Sequence, residues 1–147
     1  MIDARTYAVL QDIVRRESRS LLQYVGEAFP WTTPEARGSL TQVQKLVAEE
    51  RQATDDISRF LFRQHLTPPY LGSYPSDFTT INFVSLEHLL PLLTDAERRA
   101  VADLERDVSA VGDPAARGLV QKLLDMKRQH LKALDALAGS QRQPALR

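Results

Sequence analysis

The chain has 147 residues, 43% of them hydrophobic and 26% charged, which is close to the length of one ordinary domain and enough to close a core. Nineteen Lys and Arg residues balance nineteen Asp and Glu residues, so no bulk charge steers the chain towards nucleic acid or an anionic membrane. With no cysteine, disulfides, thiolate metal sites, iron–sulfur clusters and Cys nucleophiles are excluded.

The opening MIDARTYAVLQDIVRR places Asp3 ahead of any basic residue and has no unbroken apolar run, so it predicts neither a signal peptide nor a membrane span. A cytoplasmic protein is the expectation. From Asp3 to Phe29, Tyr7, Leu10, Ile13, Val14, Leu21, Tyr24, Val25 and Phe29 recur at spacings of three and four and predict one long first helix. The Pro30–Trp31 corner ends it. Thr33-Pro34-Glu35 then supplies an N-cap, a proline at the first helical position and an acid in the first turn. A second helix, with Leu40, Val43, Leu46, Val47, Ile57, Phe60 and Leu61 on its stripe, is expected to reach about His65.

The segment 66–78, LTPPYLGSYPSDF, holds four prolines and glycines in thirteen residues and cannot be helical. Fully extended it reaches on the order of 40 Å, most of the roughly 45 Å of a thirty-residue helix. The third helical region is expected over about Thr79–Val111, kinked or broken at Pro91, with Thr94-Asp95-Ala96-Glu97 as a capping box that restarts it. Asp113-Pro114 starts a fourth helix, with Leu119, Val120, Leu123, Met126, Leu131, Leu134 and Leu137 on its stripe. It is expected to end near Ala138 before a loose tail, 139–147. One all-α domain, 1–147, follows: an antiparallel four-helix bundle with its core over about 3–138. Short first and last connections pair helices one with two and three with four, and a long crossover joins two to three. An up-down-up-down bundle with a decorated loop is the plainer rival.

Ionisable residues on apolar stripes carry the chemistry, because a buried charge needs a partner. Glu17 lies four after Ile13 and four before Leu21, Glu50 three after Val47 and seven before Ile57, and His130 four after Met126 and four before Leu134. Glu87, four after Phe83 and three before Leu90, sits in a stretch apolar nearly all round. A lone stripe histidine is more often a satisfied core residue than a ligand, and each Glu is equally well read as a stripe-edge residue reaching water.

Glu17-Ser-Arg-Ser-Leu-Leu-Gln-Tyr24 resembles the Glu-x6-Tyr element on the first helix of ferritin-like proteins, and Glu50 matches the glutamate that the superfamily carries on its second helix. The resemblance implies Glu17, Glu50, Glu87 and His130 as metal ligands, with Tyr24 beside the site. In metal-binding members two Glu and two Glu-x-x-His pairs hold a di-iron or di-manganese centre. Here Ala53 stands three after Glu50 where a His belongs, and Lys127 stands three before His130 where a Glu belongs. Three Glu and one His suit at most one divalent ion, and two-metal oxidase chemistry is not supported. Lys127 points instead to a vestigial site, an ammonium neutralising carboxylates that a metal once bridged, with no cofactor.

The expected function is therefore a non-catalytic ferritin-like binding or structural module that self-associates or docks a protein partner. The alternative is an iron or manganese oxidoreductase or storage protein. Ser18 and Ser20 have no base at nucleophile spacing and no Gly-rich phosphate loop exists. Trp31, Tyr70, Leu71 and Tyr74 are either a cap over the core or a docking surface, since Tyr and Pro make large contacts at little entropic cost.

Overall fold

The computed structural model describes residues 1–28, 30–82 and 84–142. Among these the chain is all-helical, with α1 (Ala4–Ser18), α2 (Leu21–Ala28), α3 (Arg37–Arg63), α4 (Leu86–Ala110) and α5 (Pro114–Arg142), and 3-10 turns at Pro34–Ala36 and Ser76–Ile81. Among the described residues no helix is long and apolar enough to cross a membrane.

Helix starts follow their caps. Asp3 Oδ1 accepts from Thr6 N at 2.7 Å, Ser85 Oγ from His88 N at 3.2 Å, and Asp113 Oδ2 from Ala116 N at 2.9 Å with Pro114 at the first helical position. Thr33 caps the 3-10 turn that runs directly into α3. α3 ends in a Schellman motif: Leu66 N donates to Leu61 O and His65 N to Phe62 O, both at 2.9 Å. His65, with φ of 59°, occupies the left-handed position usually given to glycine.

Three boundaries differ from expectation. The single first helix is two, because Ser20 Oγ accepts from Gln23 N at 3.2 Å and caps a new start. The break turns the buried face by about one residue, so Leu22, Gln23 and Val25 go inside while Leu21 and Tyr24 are half-buried. α4 begins at Leu86, a 3-10 turn having taken the residues before it, and it runs through Pro91 without a break. Pro91 lacks the N–H that would reach Glu87 O, but both residues are exposed, where water can serve that carbonyl. Thr94 does not restart the helix; its Oγ1 donates to Leu90 O at 2.8 Å. α5 continues through 139–142, where a loose tail is expected, and residues 143–147 lie outside the described residues.

The crossover is tied along α1 and α2 in their own direction. Tyr7 Oη donates to Thr67 O at 2.8 Å, Arg19 Nε to Gly72 O at 2.9 Å, Tyr74 Oη to Glu27 Oε1 at 3.1 Å and Tyr24 Oη to Asn82 Oδ1 at 2.6 Å. Leu86 N then donates to Trp31 O at 2.7 Å, so α4 starts beside the end of α2. It finishes where Gly112 N donates to Thr6 Oγ1 at 3.3 Å. α3 and α4 therefore descend in parallel and α5 returns against both; α5 packs on α4 and α3, and α1 packs on α3 and α4.

The interior is two apolar clusters. One contains Leu10, Ile13, Ile57, Leu61, Leu104 and Leu123, the other Leu22, Val25, Val43, Leu90, Leu93 and Leu134. Along every long helix the residues between the two clusters are polar: Glu17 on α1, Glu50 on α3, Glu97 on α4, and Lys127 with His130 on α5, all of them buried.

Candidate functional site: a buried lysine among three glutamates

The polar layer is centred on Lys127, which has 0% of its surface exposed. Its Nζ lies 2.6 Å from Glu17 Oε1, 2.7 Å from Glu50 Oε1 and 3.0 Å from Glu97 Oε1. One carboxyl group thus arrives from each of α1, α3 and α4, while α5 supplies the cation. Lys127 makes a directed hydrogen bond to Glu97 Oε1, whereas Glu17 Oε1 and Glu50 Oε1 are held by ion-pair contact without favourable hydrogen-bond angles. His130, one turn on, places Nδ1 2.7 Å from Glu50 Oε2. With Nδ1 protonated it donates to that carboxylate, and Nε2 is left as the outward acceptor, 3.9 Å from Glu49 Oε1. On the α1 side, Arg16 Nε donates to Glu17 Oε2 at 3.3 Å while its Nη2 reaches Asp107 Oδ2 at 2.7 Å.

Burial and neighbours divide the three acids. Burial alone would push Glu17 up, but the Lys127 ammonium and the Arg16 guanidinium more than offset it and hold the carboxyl below its ordinary value. Glu97 has Lys127 but no second cation. Burial, reinforced by Glu50, pushes it up to about 8, so at neutral pH it keeps a proton. Burial opposes the charge on Lys127 as well, yet three acidic neighbours raise it well above its ordinary value. Burial lowers His130 against the opposing pull of Glu97 and Glu49, with Lys127 and Lys45 adding to the lowering, which favours the neutral imidazole. The layer therefore balances its charge by holding an ammonium at the centre and a proton on Glu97.

Of the residues expected to form the site, Glu17, Glu50, Lys127 and His130 meet. Glu87 does not: it is exposed in the first turn of α4, and the α4 acid is Glu97, ten residues on. Tyr24 is also elsewhere. Its hydroxyl is bound to Asn82 and its ring makes an edge contact with Tyr74 at 5.2 Å, away from the carboxyl groups. Arg16 joins the layer from beside the apolar stripe, where spacing along the helix gives no sign of it. The expected docking residues separate: Trp31 and Tyr70 are 64% and 90% exposed, whereas Leu71 packs against the core and Tyr74 is tied to Glu27 and Tyr24.

Glu50, Glu97 and His130 each offer one ligand atom, all within 4.8 Å of one another. Without Lys127 this would be a hard-oxygen and imidazole donor set suited to a divalent ion. With Lys127 in place it does not fit one, because the ammonium already lies within ion-pair distance of two of the three donors and repels a second cation. No protein-family model matches the chain, and no curated protein or solved structure shows significant similarity to it.

Proposed function

We propose that the chain is a ferritin-like four-helix bundle in which α1 and α2 together form the first helix, and that a lysine ammonium stands where its metal-binding relatives hold ions. The protein then works as a metal-free structural or binding module rather than as an oxidoreductase. The observation that carries this reading is Lys127 Nζ, fully buried, with Glu17, Glu50 and Glu97 at 2.6, 2.7 and 3.0 Å. The long connection along α1 and α2, which leaves α3 and α4 parallel, supports the ferritin-like path. The exposed Trp31 and Tyr70 support protein contact, through a partner or a second copy of the chain.

A second reading, binding of one iron or manganese ion, draws on the convergence of Glu50, Glu97 and His130. Elemental mass spectrometry of protein purified without chelator separates the two. The metal-free reading expects no stoichiometric metal in the wild type, even after incubation with ferrous iron, and about one ion per chain in Lys127→Glu, which restores a Glu-x-x-His pair. About one ion per wild-type chain, lost in Glu50→Ala and His130→Ala, would overturn it.

A further inference from the structure

The break between α1 and α2 opens a cleft of about 500 Å³ on the α4 side of the crossover, within the range of small-molecule sites. Its apolar wall is made by Leu21 from α2, Leu71, Pro75 and Phe78 from the crossover and its 3-10 turn, and Ala96 with Ala100 on α4, with Ser20 and Ser73 among the polar residues beside them. The two alanines, one helical turn apart, leave the room that larger side chains would fill.

Arginines stand at the edge of this apolar space, and among the described residues Arg19 and Arg99 have no carboxylate partner while Arg15 has only a long one. Arg15 comes no nearer than 4.0 Å to Asp12. Arg19 spends Nε on Gly72 O and Nη1 on Ser18 O, both backbone carbonyls, and lies 4.8 Å from the Tyr74 ring centroid. Arg99, unlike Arg98 with Asp95 and Arg106 with Asp103, has no carboxylate within 4.0 Å among the described residues. Two acids also line the cleft, and both are already paired: Asp103 with Arg106, and the buried Glu17 with Lys127 and Arg16. In a chain of zero formal net charge, four arginines against two acids around one apolar cleft, with Arg19 and Arg99 free of carboxylates among the described residues, are a local excess of positive charge.

We infer that this cleft binds an amphipathic monocarboxylate, its hydrocarbon body against Leu21, Leu71, Phe78 and the Ala96–Ala100 face and its carboxylate on Arg99, Arg15 and Arg19. The chemistry matches part for part: guanidinium forks receive carboxylates, and the alkyl body leaves water for carbon. The inference names a ligand class for the binding module proposed above, but it does not depend on what occupies the polar layer.

Isothermal titration calorimetry of the full chain with decanoate tests it, with decyltrimethylammonium as a probe of equal tail and opposite head. The expected result is one decanoate per chain, at least about ten-fold tighter than the ammonium probe. Arg99→Gln should weaken decanoate about ten-fold, as the loss of a charged hydrogen bond does, and Ala100→Trp should block both probes. Circular dichroism reports whether each variant keeps its helices; if Ala100→Trp unfolds, Ala96→Leu replaces it. Equal affinity for the two probes, no decanoate binding at millimolar concentration, or affinity unchanged in both folded variants would overturn the inference. Metal found in the polar layer with decanoate binding intact would overturn the metal-free reading and leave this one standing.

Discussion

Lys127 Nζ and Glu17 Oε1 stand 2.6 Å apart, with 0% and 3% of their side chains exposed, so the interior of this chain closes over a full ion pair. Taking two charges out of water costs several kcal/mol each, and only good geometry with further partners offsets it. Here the further partners are Glu50, Glu97, His130 and Arg16.

Removing the cation alone should be severe. Lys127→Met leaves three acidic groups facing one another with Arg16, on Glu17, as the remaining counter-charge, and is expected to cost about 3–5 kcal/mol, a large share of the ~5–15 kcal/mol that holds a domain folded. Lys127→Met combined with Glu17→Gln, Glu50→Met and Glu97→Met should recover most of that loss. Urea unfolding of both proteins checks this. A combined variant no more stable than Lys127→Met would show that the ion pairs contribute more than neutral side chains can.

Glu97 gives a pH dependence with a definite sign. Its folded-state value of about 8 lies above the ordinary 4.5, so the stability tied to its proton is whole below 4.5 and is lost as pH rises through about 8. Glu97→Gln removes that loss. Relative to wild type the variant should gain on the order of 4 kcal/mol between pH 5 and pH 9, read from unfolding midpoints across that range. Glu17 acts in the opposite direction: its lowered value makes it a source of acid sensitivity, with stability lost as pH falls below its ordinary range. A pH-independent difference between Glu97→Gln and wild type would mean that Glu97 is ionised in the folded protein at neutral pH.

At the end of α3, His65→Gly should stabilise the protein by about 0.5–1 kcal/mol. A φ of 59° is strained for histidine and free for glycine, and the Schellman hydrogen bonds are made by backbone atoms that the change leaves in place. A shift of a few degrees in Tm is expected. A lower Tm would show that the imidazole makes a stabilising contact.

Gly26 marks the close approach of α2 to α3. A Cβ there would sit 2.7 Å from Val47 Cγ1, and a β-branched side chain has little freedom to move aside. Gly26→Ala is therefore expected to cost about 1–3 kcal/mol despite the better helix propensity of alanine. Val47→Ala in the same chain should return part of it, and a double-mutant cycle in urea measures that coupling.

Stripe arithmetic found Glu17, Glu50 and His130, because a residue four from one core position and seven from another on a regular helix has a fixed facing. The same arithmetic applies to Glu97, seven after Leu90, four after Leu93, four before Val101 and seven before Leu104. It was masked by Thr94-Asp95-Ala96-Glu97, which fits a helix start as well as a helix interior, and Pro91 made a restart the natural reading. The break after Ser18 had its own signal in Ser20-x-x-Gln23, a capping-box spacing. The apolar periodicity continues almost unchanged across it and hides that signal, the buried face turning by only about one residue. The union of Lys127 with three distant carboxyl groups rests on helix register across the bundle, which spacing within one helix does not determine.

The crossover also orders the way the chain is assembled. Its ties to the first two helices join residues 60, 53 and 58 positions apart, whereas α4 and α5 meet across Val111–Asp113 alone. The α4–α5 hairpin forms from local contacts, but each crossover tie requires a loop of 47 to 60 residues to close first, and such closures slow folding. α1 and the crossover consequently seat together and late, and the lysine-centred layer is sealed only when they do.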